Sequence, residues 1–174
     1  MDSTKNRIFH ISCAALGIAV FISYITALSP TITSDDSGEL SGVTSTLGIA
    51  HSPGYPLYSL GGKIVQTILP FGNSAYRANI LSALSSAAGA GAAVYFFFNI
   101  SGSLAASLFC ALALGSAPLV YNTATVTEVY GIALFILMLL LSVITSQGLN
   151  PAKKGCLAFY LMGLAFVSHY ASGM

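Results

Sequence analysis

Hydrophobic residues occur along this chain in long runs that polar residues seldom interrupt. A helix that crosses the hydrocarbon core of a bilayer needs about 20 predominantly apolar residues. Five runs approach or exceed this length, at residues 8–28, 78–100, 104–121, 129–145 and 156–174. The pattern predicts an all-α integral membrane protein with five transmembrane helices.

A polar stretch follows the first apolar run, and its few apolar residues have the spacing of one face of a helix. Leu40, Val43 and Leu47 would share one face of a short helix. Asp36 precedes Glu39 by three residues, a spacing that predicts a capping box in which each side chain bonds the other residue's backbone N–H. This segment is predicted to be an amphipathic helix at the membrane interface.

A second amphipathic helix is predicted to follow in the same stretch. Pro56 suits the first turn of a helix, where its missing N–H leaves no bond unmade. Pro70 ends the helical pattern. Between them, four apolar residues share one face: Leu57, Leu60, Ile64 and Ile68. The polar stretch is therefore expected to contain two juxtamembrane helices.

Composition agrees with a membrane protein, because 55% of the residues are hydrophobic, 6% are charged and the mean hydropathy is +0.81. A net charge of +1 and the lack of a basic, aromatic-interleaved face give no indication of a nucleic-acid partner. We interpret residues 1–174 as a single transmembrane domain. Because the chain stops directly after an apolar run, we expect it to be the N-terminal portion of a longer protein, inactive by itself.

Basic residues predict the orientation, since lysine and arginine near the ends of spans stay on the cytoplasmic side. Lys5 and Arg7 place the N-terminus in the cytoplasm. The loop at 29–76 is then extracytoplasmic, and Lys153 and Lys154 return to the cytoplasmic side. The expected location is the plasma (inner) membrane of a bacterium or the endoplasmic reticulum of a eukaryote.

Ionisable side chains recur at the predicted outer ends of the spans. Glu128 opens the fourth run, and His169 lies about 21 Å along the fifth at 1.5 Å per residue. Ionisable residues in membrane spans are functional candidates. We expect one site at the outer boundary, formed by Asp36, Glu39, Glu128 and His169 with His51 and Arg77 nearby.

Such a site suits a carboxylate base that activates a hydroxyl, with cationic groups that hold a phosphate leaving group. The competing interpretation is structural. Asp36 and Glu39 would then be caps and solvated charges, His51 would bond within its own turn, and Tyr55 would anchor the chain at the interface.

Four ordered motifs carry a resemblance to a known family. They are D-S-G-E from Asp36, H-S-P-G-Y-P-L-Y from His51, R-A-N-I-L-S-A from Arg77 and E-V-Y from Glu128. Across roughly residues 25–135 the chain resembles multi-pass GT-C-type glycosyltransferases, a family that includes bacterial membrane proteins and an animal protein O-mannosyltransferase. The resemblance is weaker at G-L-A-F-V-S-H-Y, which ends beyond His169.

The resemblance implies a GT-C-like N-terminal part and a sugar donor linked to polyprenyl or dolichyl phosphate. The sugar, with mannose as the family-level expectation, would pass to a protein or glycan acceptor on the extracytoplasmic side. No motif requires a cofactor. A divalent metal between the acids is compatible with their chemistry, because carboxylates suit hard cations.

The resemblance also implies residue roles. The catalytic aspartate stands directly before Ser-Gly-Glu, which is the position of Asp36, and Asp35 is its rival. Glu39 and Glu128 would be supporting or second acids. Arg77 or Lys63 would contact the donor phosphate. The remaining substrate-binding candidates are His51, Tyr55 and His169.

Two other functions stay open at this point. A transporter or channel subunit would use intramembrane acids as an ion path, but Asp36 and Glu39 lie outside the predicted spans. A non-catalytic assembly subunit would use the 29–76 loop as a protein-binding surface.

Overall fold

The computed structural model describes residues 3–33 and 36–169. Within these ranges the chain forms eight α-helices and no strand. They are α1 Ser3–Thr26, α2 Ser37–Thr46, α3 Pro56–Ile68, α4 Ser74–Ser101, α5 Leu104–Ser116, α6 Pro118–Ala124, α7 Tyr130–Thr145 and α8 Pro151–Ser168. The predicted all-α class is confirmed.

Helix α4 is the central helix, and α1, α5 and α7 pack around it. Its inward positions are small: Ala83, Ala90 and Ala93 have no exposed surface. Large apolar side chains such as Phe109 and Phe159 instead point outward. Small residues inside and large apolar residues outside are typical of a helical membrane protein, where close backbone approach replaces the hydrophobic effect between helices.

The described residues contain two helices that are long and apolar enough to span a membrane, Thr4–Thr26 and Ser74–Ser101. The pair Leu104–Ser116 and Pro118–Ala124, bent by 61°, is a third candidate if the two helices count as one broken span. The apolar run at 104–121 is thus divided into two helices, because Pro118 cannot continue the hydrogen-bond pattern of α5. The count of five crossings stays a prediction.

The functional candidates lie at one end of the helical bundle. Ser82 in α4 bonds the backbone of Glu128 just before α7, and Asn99 at the other end of α4 bonds Thr145 at the end of α7. Helices α4 and α7 therefore run parallel. We call the end that carries Glu128 and α2 the acidic end. The orientation of the chain in the membrane stays a prediction.

Helix α3 begins at Pro56, as predicted, and it is amphipathic. Leu60, Ile64 and Ile68 are 57%, 59% and 69% exposed. On its other face Tyr58 and Gly62 are buried. This helix therefore presents an uncovered apolar stripe next to the acidic end.

Helix α2 buries Leu40 and Val43 as expected, but it also buries Ser41 and Thr44, so the prediction of an amphipathic helix is wrong here. Leu47 departs from the predicted face, because it follows the last helical residue with a left-handed backbone (φ 57°) and is half exposed. The helix thus ends one residue before Leu47, the last residue of the predicted face.

Candidate functional site

Asp36 stands immediately before α2, and only its backbone caps the helix. Its carbonyl accepts from the N–H of Leu40 at 2.9 Å, while its side chain makes no capping bond. The predicted capping box is wrong. Asp36 has helical dihedrals (φ −75°, ψ −1°) rather than the extended ones of a capping residue. Its carboxylate is therefore 56% exposed and does not cap.

Glu39 turns away from the start of α2 and binds His51, twelve residues later. One carboxylate oxygen accepts the backbone N–H of His51 at 2.6 Å. The other lies 3.0 Å from Nδ1 of the imidazole. This two-point contact ties the turn before α3 to the first turn of α2 and orients the ring.

The ring of His51 lies between two carboxylates. Its Nε2 is 3.7 Å from an Asp36 oxygen and 3.5 Å from the Tyr55 hydroxyl. The hydrogen bond that the His51 ring donates to the Glu39 carboxylate raises the pKa of His51 above its ordinary value. The same bond, with that from the His51 backbone, lowers the pKa of Glu39. The geometry thus favours a protonated imidazole beside Asp36.

This pairing predicts a pH dependence. In wild type, the His51 ring should titrate above the ordinary histidine pKa, and in Glu39→Gln it should titrate at a lower pH because the charged acceptor is gone. At pH values between the lowered pKa of Glu39 and the raised pKa of His51, the ion pair stabilises the contact between α2 and the turn that carries His51. The contact weakens as pH rises through the raised pKa of His51 or falls through the lowered pKa of Glu39.

NMR of ring-labelled histidine in the detergent-solubilised protein measures this titration, with His51→Gln assigning the signal. His10 serves as the internal control, because its Nδ1 contacts Tyr95 at the opposite end of the molecule. Equal titration of His51 in wild type and in Glu39→Gln would refute the pairing.

Tyr55 connects this turn to the last described residue of the chain. Its backbone is left-handed (φ 43°), a conformation that costs free energy in a non-glycine residue and is often retained at functional sites. Its ring lies 5.3 Å from that of His51 and is stacked at 6.2 Å on that of His169. His169 also lies 5.3 Å from the ring of Tyr130. Four rings therefore form a continuous wall.

Three carboxylates lie close enough to Tyr55 to affect its pKa. The pKa of Tyr55 is raised by burial first, and then by Tyr130 and by the negative charges of Asp36, Glu128 and Glu39. Glu128 is half-buried in the segment before α7. The structure thus brings together side chains from four separate segments that the sequence analysis assigned to one site.

The side chains of Lys63 and Arg77 donate to backbone carbonyls near the ends of α2 and α3. Lys63 Nζ donates to the carbonyl of Ser45 at 2.7 Å, near the end of α2. Arg77 donates to the carbonyls of Phe71 and Gln66 at 2.9 and 3.2 Å. These contacts stabilise carbonyls that lack partners within a helix. Asp35 lies outside the described residues.

Asp36, Glu39 and His51 are also the described residues that could hold a metal ion. One ligand atom from each lies within 4.8 Å of the others. Two carboxylates and an imidazole suit divalent cations such as Mn²⁺ better than Mg²⁺, which prefers oxygen alone. Binding would require His51 to release Glu39, so the ion pair and the metal compete for the same atoms.

Several residues near the site were given no role from the sequence, although Asn79, Ser82 and Tyr130 lie within the quoted motifs. Tyr130 contacts His169, and Asn79, Ser82 and Thr127 are fully buried polar side chains. The available signal was the R-A-N-I-L-S-A motif, in which Asn79 and Ser82 stand about one helical turn apart.

These features define the class of protein: a helical membrane protein with an acid–histidine site at one end of its bundle, flanked by two short helices. Residues 36–172 match the family described as the protein O-mannosyl-transferase TMEM260 N-terminal domain. The chain belongs to this family.

Two curated relatives are similar to the chain. The protein O-mannosyl-transferase TMEM260 of Mus musculus is 33% identical over 142 residues, which cover 79% of this chain and 20% of the mouse protein. The protein O-mannosyl-transferase tmem260 of Dictyostelium discoideum is 33% identical over 107 residues, covering 58% of this chain and 13% of that protein. The chain thus spans about a fifth or less of these relatives. No solved structure matches it.

Proposed function

We propose that this chain is the N-terminal part of a membrane glycosyltransferase that moves mannose from a polyprenyl- or dolichyl-phosphate donor to a hydroxyl group of an extracytoplasmic protein. The observation that carries the proposal is the convergence of Asp36, Glu39, His51 and Glu128 around Tyr55 at one end of the bundle. The names of the two relatives support mannose as the sugar and protein as the acceptor.

In the proposed reaction the acceptor oxygen forms a bond to the anomeric carbon of the sugar. The bond between that carbon and the phosphate oxygen breaks, and the lipid phosphate leaves with the electron pair. The acceptor's proton passes to Asp36, whose exposed carboxylate is not engaged in a cap. A positioned carboxylate of this kind contributes as a general base.

His51 is proposed to stabilise the leaving phosphate. Glu39 keeps the imidazole charged to higher pH and fixes its orientation, and a preorganised cation acts where negative charge develops. Glu128 is proposed as a second acid, and His169 and Tyr55 as a wall against the sugar. Lys63 or Arg77 would reach the phosphate by exchanging its carbonyl partner.

The lipid-linked donor is supported by the exposed face of α3. Leu60, Ile64 and Ile68 form an apolar stripe on a short helix beside the acidic end. Such a helix lies in the interface of a bilayer. The donor's phosphate would occupy the same depth, with its chain in the hydrocarbon.

The test uses the full-length protein, purified in detergent, with an acceptor protein and three donors. We expect transfer from dolichyl-phosphate mannose, little from dolichyl-phosphate glucose, and none from a nucleotide-linked mannose. Equal use of the nucleotide-linked sugar would refute the lipid donor. Absence of transfer from every donor would favour the assembly-subunit interpretation.

A further inference from the structure

Asn79 and Ser82 project from one face of α4 toward two loop segments at the acidic end. Both side chains have no exposed surface. One segment, 29–31, leads from α1 toward Asp36, and the other, 125–128, carries Glu128 to the start of α7. The two segments also touch directly, because the N–H of Ser29 donates to the carbonyl of Thr125 at 2.9 Å.

Asn79 joins the two segments through one amide. Its nitrogen donates to the carbonyl of Ser29 at 2.8 Å and, more weakly, to that of Thr31 at 3.4 Å. Its oxygen accepts from the hydroxyl of Thr127. The amide thus uses both its donor and its acceptor groups, and both segments are bonded to the same turn of α4.

Ser82 holds the backbone of Glu128 itself. Its hydroxyl accepts the N–H of Glu128 at 3.0 Å and donates to the carbonyl of Glu128 at 3.0 Å. The Glu128 backbone lies just before α7, and the Ser82 hydroxyl bonds both its N–H and its carbonyl to α4.

We propose that Asn79 and Ser82 are positioning residues that hold Glu128 and the segment leading to Asp36 in one fixed relation. The catalytic consequence of this inference rests on the proposed function, whereas the positioning of the two segments does not depend on it. Neither side chain contacts the reacting groups. They act through the backbone of Glu128 and through Thr127.

The first experiment compares Ser82→Ala with Ser85→Ala in the full-length protein. Ser85 is the matched control, because the bonds of its hydroxyl within the described part of the chain go to carbonyls of its own helix, at Leu81 and Ser82. Hydrogen–deuterium exchange at the Glu128 amide should become at least about tenfold faster in Ser82→Ala and stay unchanged in Ser85→Ala. Unchanged exchange in both variants overturns the proposal.

The second measurement is kinetic. Ser82→Ala should lower kcat by about ten- to a hundredfold, because small misplacement of a reacting group has effects of this size. The KM for the donor and the melting temperature should change little. An equal loss of kcat in Ser85→Ala would indicate a general packing effect and would overturn the inference.

Two substitutions of Thr127 separate the effect of its hydroxyl from the effect of its volume. Thr127→Val keeps the volume of the side chain and removes the hydroxyl that bonds Asn79, whereas Thr127→Ser keeps the hydroxyl. We expect Val to show the exchange and kcat defects and Ser to restore both. If wild type transfers no sugar while the exchange differences persist, the proposed function fails and the positioning role stands.

Discussion

Replacement of Asp36 by asparagine in the full-length protein should lower the rate of sugar transfer by about two to four orders of magnitude, the usual contribution of a general base. Asparagine keeps the size and polarity of the side chain but cannot accept the acceptor's proton. Since the Asp36 side chain makes no capping bond, α2 should keep its stability. The measurement is kcat with lipid-phosphate mannose, alongside the melting temperature.

Asp35→Asn is the matched control, because it makes the same chemical change at the preceding residue. We expect this variant to retain near wild-type kcat. A larger loss in Asp35→Asn than in Asp36→Asn would transfer the base role to Asp35. Full activity of both variants would mean that neither carboxylate is the base.

Replacement of Gly62 by alanine should destabilise the protein by about 2 kcal/mol, with a lower melting temperature. A Cβ at Gly62 would lie 2.0 Å from Cγ2 and 2.5 Å from Cβ of Thr44. Thr44 is fully buried in α2 and branched at Cβ, so it has little freedom to move. Overpacking of this kind costs about 1–3 kcal/mol, and the better helix propensity of alanine offsets up to about 1 kcal/mol.

Gly61→Ala provides the comparison within the same helix. A Cβ at Gly61 would meet Leu81 at 3.6 Å, an ordinary contact. This variant therefore keeps the propensity gain without the clash, and we expect equal or slightly higher stability. Equal melting temperatures for the two variants would show that α2 and α3 do not pack as described. Because α2 carries Glu39, Gly62→Ala should also reduce transfer.

Much of the local structure follows from short-range patterns. Pro56 at the start of α3 was predictable because a proline in the first helical turn loses no hydrogen bond. The apolar stripe at Leu60, Ile64 and Ile68 was predictable from helical spacing alone. In both cases the physical cause lies within one helix, so the residues themselves carry the information.

Predictions that depended on competition between partners failed. The D-x-x-E spacing permits a capping box, but Glu39 instead bonds the backbone and ring of His51, a partner twelve residues away. No local rule ranks a capping bond against a charge-assisted bond formed on folding.

The bend between α5 and α6 was missed because the run that contains Pro118 has the hydropathy of a continuous apolar segment.

The amino-acid order alone predicted a helical membrane protein with two short helices between its first two long ones, because hydropathy and helical periodicity are local properties. Only the tertiary structure decided which groups meet. Asp36 faces His51, His169 stacks on Tyr55, and Ser82 holds Glu128. These contacts join residues that are 15 to 114 positions apart, counted from their numbers, so the packing of separate helices selects them.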